Sequence, residues 1–155
     1  MEWKDLKINP EYEKVLPKLS KEEYEALKES IRVNDILIPL IVNPFGVILD
    51  GHNRYHIAYE LNFIPTLKTT TMNFENDLEE KAFVITVNLQ RRNLNDFQKA
   101  EMGMALLEVE NELAKLRMAH GGPKGTLPPK GGTVGESTEK VAKQIGLSST
   151  VSYTH

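Results

Sequence analysis

The sequence contains no cysteine. That removes disulfides and thiolate metal sites and is compatible with a reducing, cytoplasmic setting. No apolar run approaches the roughly 20 residues that span a bilayer. The opening segment MEWKDLKINPEYEK has neither the basic start nor the apolar core of a secretory signal. No self-similarity recurs at solenoid spacing. Beyond Asp50 there is no gathering of acids suited to a two-metal centre. A large basic excess is also missing. The formal net charge of −3 argues against indiscriminate binding to nucleic acid.

What is present is the balance of a globular protein, with 40% hydrophobic and 26% charged residues in 155. That length suits one ordinary domain or two small ones. The charge is uneven. Residues 1–112 hold thirteen Lys/Arg against twenty acids, and residues 113–155 hold six against two. An acidic body with a basic tail implies that a polyanionic partner meets the C-terminal part.

Three short signals mark helix starts. Ser20-Lys21-Glu22-Glu23, Asn76-Asp77-Leu78-Glu79 and Asn95-Asp96-Phe97-Gln98 have the capping-box form, in which two side chains reciprocally satisfy backbone N–H groups. The first predicts a helix to about Val33 with Tyr24, Leu27 and Ile31 on one face. The second predicts a helix to Asn88 or beyond. The third predicts a long helix to about Met118, carrying Met102, Leu106, Leu113 and Leu116. Between the first two, ILIPLIVN and GVILD flank the turn Asn43-Pro44-Phe45-Gly46 and predict a β-hairpin over 38–50. Pro39 pushes its first strand toward a sheet edge or a strand start. A helix over 52–61 follows, with Ile57, Ala58 and Leu61 inward, and then a threonine-rich β-prone stretch over 65–73. Residues 120–137 hold six of the ten glycines and three of the eight prolines, the composition of a linker. The order predicts a small α/β unit up to about residue 75 and a helical part after it.

Chemistry concentrates at Asp50-Gly51-His52-Asn53-Arg54, where a strand meets a helix. Glycine lets the backbone turn or approach a ligand. The first N–H groups of a helix lack intrahelical acceptors and suit an anion, and Arg54 offers a two-pronged grip on phosphate. Asp50 is suited to holding Mg²⁺, accepting a hydroxyl proton or orienting His52. The plainer reading is a helix cap at Asp50, an ion pair for Arg54 and surface histidines. A zinc site on His52 and His56 would need a third ligand, for which Asp50 is poorly placed. A second polar cluster, Asn88-Leu89-Gln90-Arg91-Arg92-Asn93, sits between two predicted helices and is also suited to phosphate oxygens.

INPE at 8–11, ILDGHNRYHIAYEL at 48–61 and VNLQRRNLNDFQKAEMGMALL at 87–107, in that order, resemble the ParB N-terminal-domain superfamily, which includes sulfiredoxin-like and free-serine-kinase members. The resemblance implies an α+β fold: a small ParB-like mixed α/β domain over 1–90, then an all-helical domain over 91–155. It implies CTP with Mg²⁺ as ligand, with Gly51 and Arg54 in the phosphate motif, Asn88, Gln90 and Arg91 in the second motif, and Asn88 near the metal. His52 and Asn53 stand where partition proteins usually have Glu and Arg, and Val87 stands where they have a metal-associated Glu. The spelling Asp-Gly-His-x-Arg is similar to the serine-kinase branch, which would use ADP or ATP and make Asp50 and His52 catalytic. EKVAKQIGLSSTVSYTH resembles a helix-turn-helix whose recognition helix stops almost as it begins. That motif would bring Lys140, Lys143, Ser148, Ser149 and Thr150 to DNA.

The implied function is a ParB-like DNA-binding protein of chromosome or plasmid partition or of transcription control. It would be a homodimer with no membrane association and with a CTP-type switch domain, at most a weak CTPase. The alternative is a small-molecule phosphotransferase resembling the ADP-dependent free serine kinases, and the third reading is a nuclease.

Overall fold

The structure, a computed structural model, describes residues 5–63, 66–91 and 93–121. The Gly/Pro-rich linker beyond 121 and the helix-turn-helix, with Lys140, Lys143, Ser148, Ser149 and Thr150, lie outside the described residues. The chain divides into two compact units, Met1–Glu75 and Asn76–His155. This is the α+β organisation expected from the order of elements. The division falls at residue 75, and the helix bearing Asn88 belongs to the second unit.

The first unit begins with α1 (Pro10–Val15), a helix for which sequence periodicity offered no sign. Asn9 accepts a hydrogen bond from the Glu11 N–H, and Pro10 takes the first helical position, where its missing N–H costs nothing. In α2 (Lys21–Asn34) the capping box is complete: Ser20 Oγ accepts from the Glu23 N–H, and the Glu23 carboxylate accepts from the Ser20 N–H. Three strands follow: β1 (Leu40–Val42), β2 (Ile48–Asp50) and, beyond the helix α3 (His52–Glu60), β3 (Thr69–Thr71). Their order in the sheet is β2-β1-β3. The β1–β2 pair is the expected antiparallel hairpin, whereas β3 joins the other side of β1 in parallel register, Leu40 opposite Thr69. Pro39 therefore precedes the central strand, and its missing donor falls just outside the ladder. The hairpin turn is pinned by Asn43, whose Oδ1 accepts from the N–H groups of Phe45 (2.9 Å) and Val47 (3.0 Å). Lys7 bridges to the outer side of β2, donating to the Gly46 carbonyl and accepting from the Ile48 N–H.

Two apolar clusters hold this unit together. Leu6, Leu40, Val42 and Ile48 are buried with Ile8, Tyr55 and Leu67 against them. Ile31, Ile36, Ile57 and Ala58 are buried with Tyr24, Leu27, Leu61, Phe63 and Leu67. Each fully buried Ile or Leu contributes about 1.5–3 kcal/mol, and Ile57 and Ala58, at 0% exposure, fasten α3 to this core. Polar contacts add to the fixing of α3. The Tyr24 hydroxyl donates to Glu60 at 2.8 Å, Lys28 pairs with the same carboxylate at 2.6 Å, and His56 Nε2 lies 3.1 Å from Glu13.

The second unit, as described, is a helix pair, α4 (Asp77–Leu89) and α5 (Asp96–Ala119). The Asn95–Gln98 box is complete; at α4 the Asn76 side chain accepts from the Glu79 N–H. Val84, Ile85 and Leu89 on α4 and Met102, Leu106, Val109 and Leu113 on α5 are buried. The buried stripe of α5 ends at Leu113, and Leu116 is 39% exposed.

Candidate functional site

The end of β2 passes directly into α3 through Gly51. Its φ of 97° lies in the left-handed region, where a side chain is strained. Space demands glycine as well: a Cβ there would come within 2.4 Å of Leu40 Cδ2, on the neighbouring strand. The backbone at this turn thus lies tight against β1 because residue 51 has no side chain.

This helix start differs from the others described. Helices α1, α2, α4 and α5 each begin with an Asn or Ser side chain accepting a backbone N–H, and each has an acid in its first turn. At α3, Gly51 offers no side-chain oxygen, and the first turn, His52-Asn53-Arg54, contains no acid. The positive end of the helix dipole is left without a negative side chain of its own helix. Asp50 is not the cap. It is instead the partner of Arg54, whose Nη2 donates to Asp50 Oδ2 at 3.0 Å.

Arg54 does more than form that pair. Its Nη1 donates to the carbonyls of Ile38 (2.7 Å) and Pro39 (3.2 Å). The guanidinium therefore ties the end of β2 to the chain leading into β1, and the pair is largely buried, with side-chain exposures of 17% and 16%. The i, i+4 spacing of Asp50 and Arg54 was visible in the sequence. The two carbonyls, sixteen and fifteen residues away, were not. His52 is buried at 4% exposure, while Asn53 is partly exposed at the second position of the helix. His56 is directed to Glu13. Among the described residues no group of three His, Cys, Asp or Glu could hold a metal ion.

The second motif lies on the other unit, at the end of α4. Asn88 is fully buried. Its amide nitrogen donates to the Val84 carbonyl at 2.8 Å, as only a donor can at that distance, and this fixes the orientation of the amide. Oδ1 is then buried with no hydrogen-bond partner among the described residues. Gln90 is exposed at the helix end, and Arg91, half-buried, donates its backbone N–H to the Asn88 carbonyl. Arg92 lies outside the described residues. Within its own unit each motif is assembled as a local cluster: Asp50, Gly51, Asn53 and Arg54 at one helix start, and Asn88, Gln90 and Arg91 at one helix end.

Two solved structures of a pNOB8-like ParB N-domain share this fold. One, in a C2221 crystal form, aligns with a TM-score of 0.65 at 21% identity, covering 93% of this chain and 61% of that one. The other aligns with a TM-score of 0.61 at 19% identity, covering 94% and 56%. The fold is thus that of a ParB N-domain. A curated relative, the uncharacterized protein ORF326b of Acidianus two-tailed virus, is 31% identical over 94 residues, which is 61% of this chain and 28% of that protein. The chain therefore spans well under a third of that relative and less than two thirds of each ParB chain. No family model matches. No helix among the described residues is long and apolar enough to cross a membrane.

Proposed function

We propose that this chain is a ParB-like, partition-type DNA-binding protein whose first unit binds a nucleotide phosphate at the start of α3. The observation that carries the reading is the opening of α3 itself. It is an acid-free helix N-terminus, entered through a glycine packed against Leu40 and the Arg54 guanidinium, at the position of the Gly-x-x-Arg motif in a chain with the ParB N-domain fold. Helix N-termini of this kind receive phosphate through backbone N–H groups and the helix dipole. CTP with Mg²⁺ is the ligand that the family likeness favours. By the same likeness Asn88 and Arg91, at the end of α4 in the second unit, are the second-motif residues. DNA would be met by the basic C-terminal part, with Lys140, Lys143 and Ser148 to Thr150 as the reading residues, in a homodimer.

The phosphotransferase alternative asks Asp50 to accept a proton from a substrate hydroxyl. Asp50 instead faces Arg54 at 3.0 Å, and His52 is buried, an arrangement better suited to holding the turn than to chemistry. The partition-type reading is therefore preferred.

The test is calorimetric titration of CTP, ATP and ADP with Mg²⁺, with and without duplex DNA, on the natural chain and on Asn53→Asp. A carboxylate at the second position of α3 favours the helix dipole and leaves folding intact. It also places a negative charge beside the phosphate. At about 6 Å and an effective dielectric constant of about 40 the repulsion is about 1.4 kcal/mol, a roughly tenfold loss of affinity. CTP binding that weakens by this factor in Asn53→Asp supports the reading. CTP binding untouched by the substitution removes α3 as the phosphate site, and ADP-dependent phosphorylation of serine would favour the alternative.

A further inference from the structure

The connection between α2 and β1, residues 35–39, is unusual in three ways that converge on Arg54. Asp35 ends α2 with φ 62° and ψ −176°, a conformation that is almost confined to glycine. Its own side chain secures it: Oδ1 accepts from the Ile36 N–H at 2.7 Å. Leu37 and Ile38 then stand 79% and 66% exposed, two large apolar side chains in succession on the surface. Finally, the carbonyls of Ile38 and Pro39 are gripped by Arg54, which Asp50 orients from the other side.

We propose that Asp50 and Arg54 form a latch on this strained connection, and that phosphate arriving at the start of α3 opens it. Asp50 is the positioning residue. Its carboxylate sets the plane of the guanidinium so that Nη1 faces both carbonyls. Arg54 is at once the third residue of α3, hence beside any anion at the helix N-terminus, and the tie on residues 38 and 39. A phosphate takes a guanidinium N–H through charge-assisted hydrogen bonds, which the neutral carbonyls at Nη1 cannot match, while Nη2 keeps its bond to Asp50. Drawing the guanidinium toward the ligand releases residues 35–39, lets Asp35 leave its strained backbone conformation and frees Leu37 and Ile38 to repack. Occupancy of the phosphate site is thereby converted into movement of an exposed apolar segment. The trigger rests on the nucleotide reading above; the latch rests on the contacts alone.

Hydrogen–deuterium exchange on the full chain, read by mass spectrometry over residues 35–42, tests both parts. Its reporters are the Ile36 amide and the Leu40 amide, the latter bonded to the Lys68 carbonyl at 2.9 Å. In ligand-free protein Asp50→Asn is expected to speed exchange there at least fivefold, with segments of α4 and α5 unchanged. Arg54→Lys keeps the charge but cannot span a carboxylate and two carbonyls in one plane, and should do the same. In the natural chain saturating Mg·CTP should also speed exchange over 35–42. Unchanged exchange in both variants overturns the latch. CTP that binds by calorimetry but leaves or slows exchange over 35–42 overturns the trigger while the nucleotide reading stands. Absence of any nucleotide binding overturns the trigger and the nucleotide reading together.

Discussion

Gly51→Ala places a single methyl group at the point where the candidate site touches the core. Two separate costs are expected. Holding an alanine at φ 97° carries the left-handed penalty of about 1–2 kcal/mol. The new Cβ would also lie 2.4 Å from Leu40 Cδ2, well inside contact distance, against a side chain that is fully buried and closely packed. Overpacking of that kind costs about 1–3 kcal/mol. The total, about 2–5 kcal/mol, is a large part of the roughly 5–15 kcal/mol that stabilises an ordinary domain. For a unit of this size it corresponds to a fall in melting temperature of roughly 10–40 °C. Differential scanning calorimetry on the full chain measures it. Two companion variants separate the causes. Gly51→Asn tolerates the backbone angle but keeps the collision, and should recover only the first share. Adding Leu40→Ala to Gly51→Ala removes the collision, so the double variant should be less destabilised than the sum of the two by about 1–2 kcal/mol. A Gly51→Ala protein melting within a degree or two of the natural chain would refute the claim that this turn is held tight against β1. It would also remove the reason given for glycine at the candidate site.

Other outcomes follow from the same contacts. Asn88→Leu replaces a buried amide, whose oxygen has no described partner, by an apolar side chain of similar size, so urea denaturation should show stability kept or raised by about 1–2 kcal/mol. A loss above about 2 kcal/mol would mean that Asn88 is structural. Asn76→Ala and Asn95→Ala each remove an accepting cap oxygen and should cost about 1 kcal/mol in urea, with Ser largely restoring it; a cost near zero at both would show the caps to be idle. The α2–α3 clasp should give stability two pH limits. The hydrogen bonds from Lys28, then Tyr24, hold Glu60 below its ordinary 4.5, so this contribution is present above pH 4.5 and lost as pH falls through the lowered value. Burial first, then the bond to Glu60, raises Tyr24 from 10.0 to about 12, so its contribution is complete below pH 10 and lost as pH rises toward 12. Lys28 is raised by the same Glu60 bond and acts in the same direction. Thermal melts of the natural chain and Glu60→Gln across pH 3–12 should diverge most between these limits, and parallel curves would show that the clasp contributes nothing.

Local chemistry determined the parts of this protein that depend on near neighbours in the chain. Ser20 with Glu23 and Asn95 with Gln98 announce their helices because capping is decided within four residues. Asn43 to Gly46 announces the hairpin because a turn's bonds close on themselves. The strand-to-helix glycine, and an ion pair for Arg54 as one of two readings, were legible for the same reason; that Asp50 is the partner of Arg54 and not the cap was not. The short α1 was missed although Asn9-Pro10 carries a cap and a first-turn proline, because six residues are too few to show a period. Tertiary structure alone decided what depends on distant segments. The parallel docking of β3 on β1 joins residues twenty-nine apart in the chain, and nothing in a run of threonines states which edge it will meet. Leu40 against Gly51, the carbonyls of Ile38 and Pro39 on Arg54, and the strained angle at Asp35 likewise come into being only when the sheet and α3 close on one core. A side chain's type is written in the sequence, but a backbone carbonyl is the same at every residue, so which carbonyl an arginine finds is settled only by packing.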